Sequence, residues 1–128
     1  MTLPMKTPSK IDTLESARRI LGVEIEGLKA LSENIDDSFD KAITLISEMK
    51  SRKNGRLILS GIGKSGHVAT KIAATMASTG TPSFFVHPNE ASHGDLGMIT
   101  EEDIVLLLSN SGENSELSDI IAYTRRFN

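Results

Sequence analysis

The sequence contains no cysteine and no tryptophan, and aromatic residues make up only 4% of its 128 residues. Without cysteine, the chain has neither a disulfide framework nor a thiolate metal site, which fits a reducing compartment. No apolar run approaches the roughly 20 residues that a membrane-spanning helix needs, and the segment from Met1 to Pro8 lacks the apolar core of a signal peptide. We therefore expect a cytoplasmic protein with no membrane partner.

Positive charge is not concentrated in any part of the chain. The formal net charge is −3 and the basic residues are scattered, which argues against nucleic acid as a partner. Hydrophobic residues make up 38% of the chain, which is enough for one globular domain with a mostly aliphatic core.

The order of the predicted elements indicates an α/β fold. Residues 1–9 contain two prolines and are predicted to be a flexible arm. Apolar residues at helical spacing predict a first helix from residue 11 to 35, and Asp36 or Asp37 can cap a second helix. Strands are predicted at residues 57–59, 83–86 and 104–108, and further helices at residues 65–79 and 115–126. This alternation predicts a three-layer αβα arrangement around a parallel sheet.

Each helix is expected to bury its apolar side. For the first helix, the expected partner is the core or a second subunit, and the apolar positions are Leu14, Leu21, Ile25, Leu28 and Ile35. In the third helix, Val68, Ile72 and Met76 are predicted to face inward, with Gly80 ending the helix.

Two strand-to-helix joints carry residues that can bind an anion. The first reads SGIGKSG at residues 60–66, and the second reads SNSGEN at residues 109–114. A helix that starts at the carboxyl end of a parallel strand offers free backbone N–H groups and a partial positive charge. Ordinary N-capping is the alternative for the second joint, since Ser, Asn and Gly are common there. Because both joints follow parallel strands, we predict that they share a phosphate-binding crevice.

Two nucleotide-binding motifs resemble the first joint, and each lacks a residue that it needs. The glycines fit G-x-G-x-x-G, but the end of the second strand holds His87 where an acidic ribose ligand is expected. A Walker A loop would need a glycine five positions before Gly63, where the chain has Ile58. Both absences argue against a nucleotide.

A polar segment from residue 87 to 103 is expected to be an irregular, functional loop. Its residues His87, Glu90, His93 and Asp95 could hold zinc, although their spacing follows no standard zinc pattern. His93 is better suited to contact a substrate or carry a proton.

Two glutamates, Glu113 and Glu116, lie at the start of the last predicted helix. The helix dipole accounts for one acidic residue in a first turn, and the other is a candidate carboxylate base. The spacing does not choose between them.

The joints and the polar loop together resemble the sugar isomerase (SIS) domain. The shared segments are SGIGKSGH at 60–67, ASTGTPSFFVHPNEASHGDLGM at 77–98 and SNSGENSE at 109–116. Within that superfamily, the run from His87 to Met98 is typical of the arabinose-5-phosphate isomerases. The resemblance covers about residues 10–128 and implies the N-terminal part of a flavodoxin-like SIS domain.

This resemblance implies isomerisation of ribulose 5-phosphate to arabinose 5-phosphate through a cis-enediol, the entry to the Kdo sugar of lipopolysaccharide. By position, Lys64 and Glu116 match catalytic residues, and His93 matches a substrate contact. His87 matches a metal-binding histidine, with zinc expected to inhibit rather than catalyse, so no cofactor is required. The remaining predicted contacts to the sugar phosphate are Gly63, Ser65, Gly80, Thr81, Ser109, Asn110, Ser111, Glu113 and Asn114.

The resemblance also implies a homo-oligomer, either a dimer or a tetramer. Family members continue with further strands, further catalytic residues and often paired CBS modules, which we expect to be absent from this chain. The third strand would then have a bare edge. Two alternatives to an active isomerase are a phosphosugar-binding domain without catalysis and a fragment that only assembles into an oligomer.

Overall fold

The computed structural model of the chain describes residues 10–127. The helices and strands are, in chain order, α1 (Lys10–Asn34), α2 (Asp37–Lys50), β1 (Leu57–Gly61), α3 (Lys64–Ser78), β2 (Ser83–Phe85), α4 (Pro88–Ser92), β3 (Ile104–Leu108) and α5 (Ser118–Thr124). Short 3-10 turns lie at Asp95–Met98, Ser115–Leu117 and Arg125–Phe127. The predicted arm, residues 1–9, lies outside the described residues. Among the described helices, none is long and apolar enough to cross a membrane.

The sheet has three parallel strands in the order β2-β1-β3. Leu57 pairs with Ser83 on one side and with Ile104 on the other. The predicted parallel α/β fold is confirmed. Within residues 10–127, β3 pairs only with β1, so its other edge is bare as expected.

Core side chains cover both faces of the sheet, so β1 is buried along its whole length. On one face, the buried cluster consists of Met49, Leu57, Leu59, Ala69 and Ala73. On the other face, it consists of Ile58, Val86, Ala91, Ile99 and Ile120. The end of α2 and α3 therefore cover one side of the sheet, while α4 and α5 cover the other, which gives the predicted three layers.

The side that α3 turns to the sheet agrees with the prediction for Ile72 and Met76, which are partly buried and pack against the core. Val68 departs from the prediction, since it is 52% exposed, whereas Ala69 and Ala73 are buried. The reason is the close approach of the helix to the strand at Gly66, where an added Cβ would lie 2.6 Å from the backbone oxygen of Gly61. At that separation, the first turns of α3 leave room only for small side chains such as Ala69 against β1.

The end of α3 agrees with the prediction. Gly80 has a φ of 88° and follows the C-cap residue Thr79. The N–H of Gly80 donates to the carbonyl of Ala77 at 3.2 Å, and the N–H of Thr81 donates to that of Met76 at 2.9 Å. These two bonds form a Schellman motif, which satisfies the last free carbonyls of the helix.

Two predicted elements have different boundaries in the structure. The polar segment after β2 is not irregular throughout, because it contains α4 and a 3-10 turn. Pro88 at the first position of α4 and the ring of His87, which accepts from the N–H of Asn89, start this short helix. The predicted last helix divides into α5 and the 3-10 turns on either side of it.

The chain divides into two units, residues 1–40 and residues 41–128. In the first unit, the large apolar side chains of α1 are between 50% and 65% exposed, and they are Leu14, Ile20, Leu21, Val23, Ile25, Leu28 and Leu31. Packing of α1, whether in the core or against a second subunit, stays a prediction. The predicted cap of α2 is confirmed, since Oδ1 of Asp36 accepts from the N–H of Ser38 at 2.9 Å.

Candidate functional site

The two strand-to-helix joints lie side by side at the carboxyl edge of the sheet. Gly61, the last residue of β1, pairs with Leu108, the last residue of β3. A Cβ added to Gly61 would lie 3.0 Å from the backbone oxygen of Leu108 and 3.0 Å from the carbonyl carbon of Ser65. Glycine thus lets β1, β3 and the start of α3 approach one another closely.

The first joint leaves backbone donors at the start of α3. Its N-cap residue is Gly63, which has a φ of 58° and no side chain to accept a hydrogen bond. The N–H groups of Lys64 and Ser65 are therefore not capped from that position and can bind an anion. The side chain of Lys64 is exposed, and Ser65 is half-buried.

The second joint is held in shape by its own side chains. Oγ of Ser109 accepts from the N–H of Gly112 at 2.9 Å and donates to Oδ1 of Asn114. Oγ of Ser111 accepts from the N–H of Glu113 at 3.2 Å, which leaves its hydroxyl proton to donate elsewhere. Two of the predicted phosphate contacts, Ser109 and Asn114, thus bind each other in this structure.

The candidate catalytic pair lies next to these joints. Lys64 is the first residue of α3, and Glu116 lies in the 3-10 turn that follows the second joint. The carboxylate of Glu116 accepts from Oγ of Ser115 at 3.3 Å. Both members of the pair are exposed, as are Asn110 and Glu113, and neither Lys64 nor Glu116 forms an ion pair with another described residue.

The two histidines of the polar segment lie at the ends of α4. His87 is the N-cap residue and His93 the C-cap residue, and both are exposed. Nδ1 of His87 accepts from the N–H of Asn89 at 3.3 Å. Within residues 10–127, no group of three His, Asp or Glu side chains is close enough to hold a metal ion. The zinc prediction for His87 therefore rests on the resemblance alone.

Gly80 and Thr81 are not brought to the same place as the other predicted site residues. Both precede β2 and lie at the amino edge of the sheet, opposite to Lys64 and Ser109. Thr81 is also buried. A substrate contact at these two positions stays a prediction that the fold of a single chain does not explain.

Sequence reasoning missed two hydrogen bonds that hold the segment between β2 and α5. Oγ of Ser60 is buried and donates to the carbonyl of Val86 at 2.6 Å, just before His87. Oγ of Ser92 donates to Oδ2 of Asp119 at 2.7 Å and so links α4 to α5. A polar residue inside an apolar strand is the one signal that could have indicated Ser60.

Two cavities of the structure lie away from these residues. One of about 670 Å³ is at the amino edge, where Gly55, Arg56 and Pro82 line it. The other, of about 540 Å³, lies beside β3 and is lined in part by Ile104 and Phe127. No predicted site residue lines either of these two cavities.

Comparison with known proteins decides the family. The sequence model of the SIS domain matches residues 49–128, which is more than half of the chain. The chain belongs to the SIS domain family. An arabinose 5-phosphate isomerase KdsD of Pseudomonas aeruginosa is 50% identical over 122 residues, which cover 95% of this chain and 36% of that protein. A protein of the same name from Yersinia pestis is 50% identical over 116 residues, which cover 91% of this chain and 34% of that protein.

Solved structures agree with this SIS assignment. A protein of Escherichia coli CFT073 in complex with arabinose 5-phosphate is 36% identical, with a TM-score of 0.84 over 94% of this chain and 62% of that chain. A phosphosugar isomerase involved in capsule formation from Bacteroides fragilis is 42% identical, with a TM-score of 0.81 over 91% of this chain and 59% of that chain. This SIS chain spans about a third of the length of its curated relatives.

Proposed function

We propose that this SIS chain carries part of a site that interconverts ribulose 5-phosphate and arabinose 5-phosphate. The observation that supports this proposal is 50% identity to an arabinose 5-phosphate isomerase across 95% of the chain. A structural neighbour bound to arabinose 5-phosphate supports a sugar phosphate as the ligand class. Both joints that we expect to hold the phosphate lie within the matched residues.

The phosphate would bind between the two joints at the carboxyl edge. The backbone N–H groups of Lys64 and Ser65 would donate from the start of α3, and Ser111 would donate from the second joint. Ser109 would have to release Oδ1 of Asn114 to donate to the same phosphate, whereas the side-chain NH2 of Asn114 can donate while that bond is kept. An anchored phosphate fixes the sugar relative to the catalytic groups, which makes proton transfer effectively intramolecular.

The reaction is a proton transfer between two neighbouring carbons. Glu116, as carboxylate, would remove the proton from the carbon beside the carbonyl and return it to the former carbonyl carbon. The hydroxyl proton of the first carbon would pass to the oxygen of the former carbonyl, so that the new carbonyl forms on the first carbon. Lys64 would stabilise the negative oxygen of the enediolate that forms between these two steps. The exposed positions of both side chains, without an ion pair to another described residue, support these roles.

The proposal is tested by assaying ribulose 5-phosphate conversion with this chain and with a longer chain of the same protein. In whichever chain turns over, Glu116→Gln and Lys64→Ala are each expected to lower kcat by about 100-fold or more. The matched controls are Glu48→Gln and Lys71→Ala, which change the same charges at exposed positions outside the two joints. Variants of Lys64 and Glu116 that turn over near the intact rate would show that the assigned roles are wrong.

A second candidate is a phosphosugar-binding or assembling chain without catalysis. The observation in its favour is that the two joints lie side by side within this chain, which is sufficient to hold a phosphate without any catalytic group. Calorimetric titration with arabinose 5-phosphate separates the two candidates, because binding without turnover indicates the second.

We further propose that the reaction takes place in the cytoplasm ahead of Kdo synthesis and needs no cofactor. We also propose that zinc inhibits it by binding His87. Zinc that inhibited a His87→Ala variant equally would contradict that role.

A further inference from the structure

α1 carries a seam of large apolar side chains that its own chain leaves exposed. The seam consists of Leu14, Leu21, Ile25 and Leu28, each at least 50% exposed. Spacings of three, four and seven residues place these side chains in line, as in one helix of a coiled coil. Arg18 and Ser32 occupy the remaining two positions of the same repeat. Water contact along such a seam is unfavourable, so the seam needs a partner.

The charges beside the seam are symmetric about one glycine. Glu15 lies seven residues before Gly22, and Lys29 lies seven residues after it. Positions seven apart lie on the same side of a coiled-coil seam, so all three residues flank it together. When two such helices run antiparallel, this flank meets the same flank of the other copy. Glu15 of each copy then faces Lys29 of the other, and the two Gly22 residues lie close to the two-fold axis.

We propose that α1 pairs antiparallel with α1 of a second copy of this chain. Charge complementarity provides two Glu15–Lys29 contacts for each pair of helices. Arg18 favours this direction over the parallel one. In a parallel pair, the two Arg18 side chains would share one layer of the seam, whereas in the antiparallel pair each faces Leu28 of the other copy and its stem lies over apolar surface.

Two features of α1 oppose the pairing weakly. Lys29 binds Glu26 of its own helix at 2.8 Å, but both side chains are largely exposed, and such pairs contribute little to stability. On the other flank of the seam, Glu24 meets Glu24 of the second copy. This like-charged contact predicts that Glu24→Gln tightens the dimer. In a parallel pair, Glu24 would face Lys29, so the same substitution would weaken it.

A charge-swap experiment tests the pairing on the 128-residue chain. Glu15→Lys and Lys29→Glu each replace two attractive contacts with two repulsive ones, and each is expected to raise the dimer dissociation constant about tenfold. An equimolar mixture of the two variants has only attractive contacts between unlike chains. The mixture is therefore expected to dimerise as tightly as the unchanged chain. Sedimentation equilibrium measures all three dissociation constants.

The controls separate this seam from other surfaces that could associate. Glu33→Lys changes the same charge on α1 at a position away from the seam and is expected to leave the dissociation constant unchanged. Circular dichroism of each variant checks that helix content is kept. The proposal is overturned if the unchanged chain is a monomer, or if the mixture dissociates as readily as its components. Weakening by Glu24→Gln would overturn the antiparallel direction.

Discussion

At the amino edge of the sheet, polar side chains bind one another, whereas at the carboxyl edge most of them face solvent. Asp103 is the centre of the amino edge, and its side chain is fully buried. Nε of Arg56 donates to Oδ1 of Asp103 at 3.0 Å, and Nη2 donates to Oδ2 at 2.8 Å. The N–H of Thr100 also donates to Oδ2, at 2.9 Å, and Nη2 of Arg56 reaches the carbonyl of Met98 at 2.6 Å.

These bonds tie all three strands together at one end. The N–H of Arg56, just before β1, donates to Asp103, just before β3. The guanidinium also lies over the ring of Phe84 in β2, with 5.2 Å to the ring centre. Lys64 and Glu116 at the carboxyl edge form no ion pair with another described residue. The comparison indicates that the amino edge stabilises the fold, while the charged side chains of the carboxyl edge remain unpaired among the described residues, as the proposed ligand site requires.

The largest effect is expected at Asp103. Asp103→Ala leaves the guanidinium of Arg56 and the N–H of Thr100 without their acceptor, and we expect a loss of about 2 to 4 kcal/mol in the free energy of unfolding. Asp103→Asn keeps the size and one acceptor oxygen and should lose less. Urea unfolding followed by circular dichroism measures both. Glu116→Gln, at the carboxyl edge, should change the free energy of unfolding by less than about 0.5 kcal/mol. A loss there as large as that of Asp103→Ala would show that the two edges do not differ in their contribution to stability.

A smaller effect is expected where α3 approaches the carboxyl end of β1. In Gly66→Ala the new methyl group would lie 2.6 Å from the backbone oxygen of Gly61, so helix and strand must move apart. We expect a loss of about 1 to 3 kcal/mol in the free energy of unfolding. The matched control is Gly27→Ala, because a Cβ there meets nothing within 4 Å. That control should be neutral or stabilising, since alanine favours a helix.

The smallest effect is expected from acid. Burial by itself would raise the pKa of Asp103, but the hydrogen bonds from Arg56 and Thr100 lower it by more, so this pKa lies below its ordinary value. The resulting stabilisation is fully present above the unfolded-state pKa of about 3.9 and is lost as the pH falls through the folded-state value. Unfolding free energies measured from pH 6 down to pH 3 should therefore fall below about pH 4.

A matched pair of variants assigns that acid dependence. Hydrogen bonds from Ser38 also lower the pKa of Asp36, which caps α2 and is far from Asp103 in the sequence. Asp103→Asn and Asp36→Ser should each flatten the decline in acid. A decline that Asp103→Asn leaves unchanged would show that the buried ion pair is not its source.

Local sequence patterns predicted most of the sheet and its helices. β3 has the predicted boundaries, and Gly80 ends α3 as predicted, because hydrophobic runs and a C-terminal glycine act over a few residues. On the inward side of α3, Ile72 and Met76 pack against the core as predicted, whereas Val68 is exposed and Ala69 is buried. The close approach of Gly66 to Gly61 is a distance between two elements that periodicity does not contain.

Some features of the candidate site were also predictable from the sequence, and others were not. The sequence placed Lys64 and Ser109 at one edge, because parallel strands bring their carboxyl ends together. It did not show that Ser109 binds Asn114, or that Gly80 and Thr81 lie at the opposite edge. Those facts depend on the direction in which each loop returns.

For this chain, the primary structure was sufficient to predict the parallel α/β order, the positions of the two strand-to-helix joints and the SIS family. Those features depend on short motifs and on periodicity, which neighbouring residues encode. Packing in three dimensions was needed to show that Arg56 and Asp103 join the strands. A contact between residues that are 47 positions apart leaves no local pattern in the sequence.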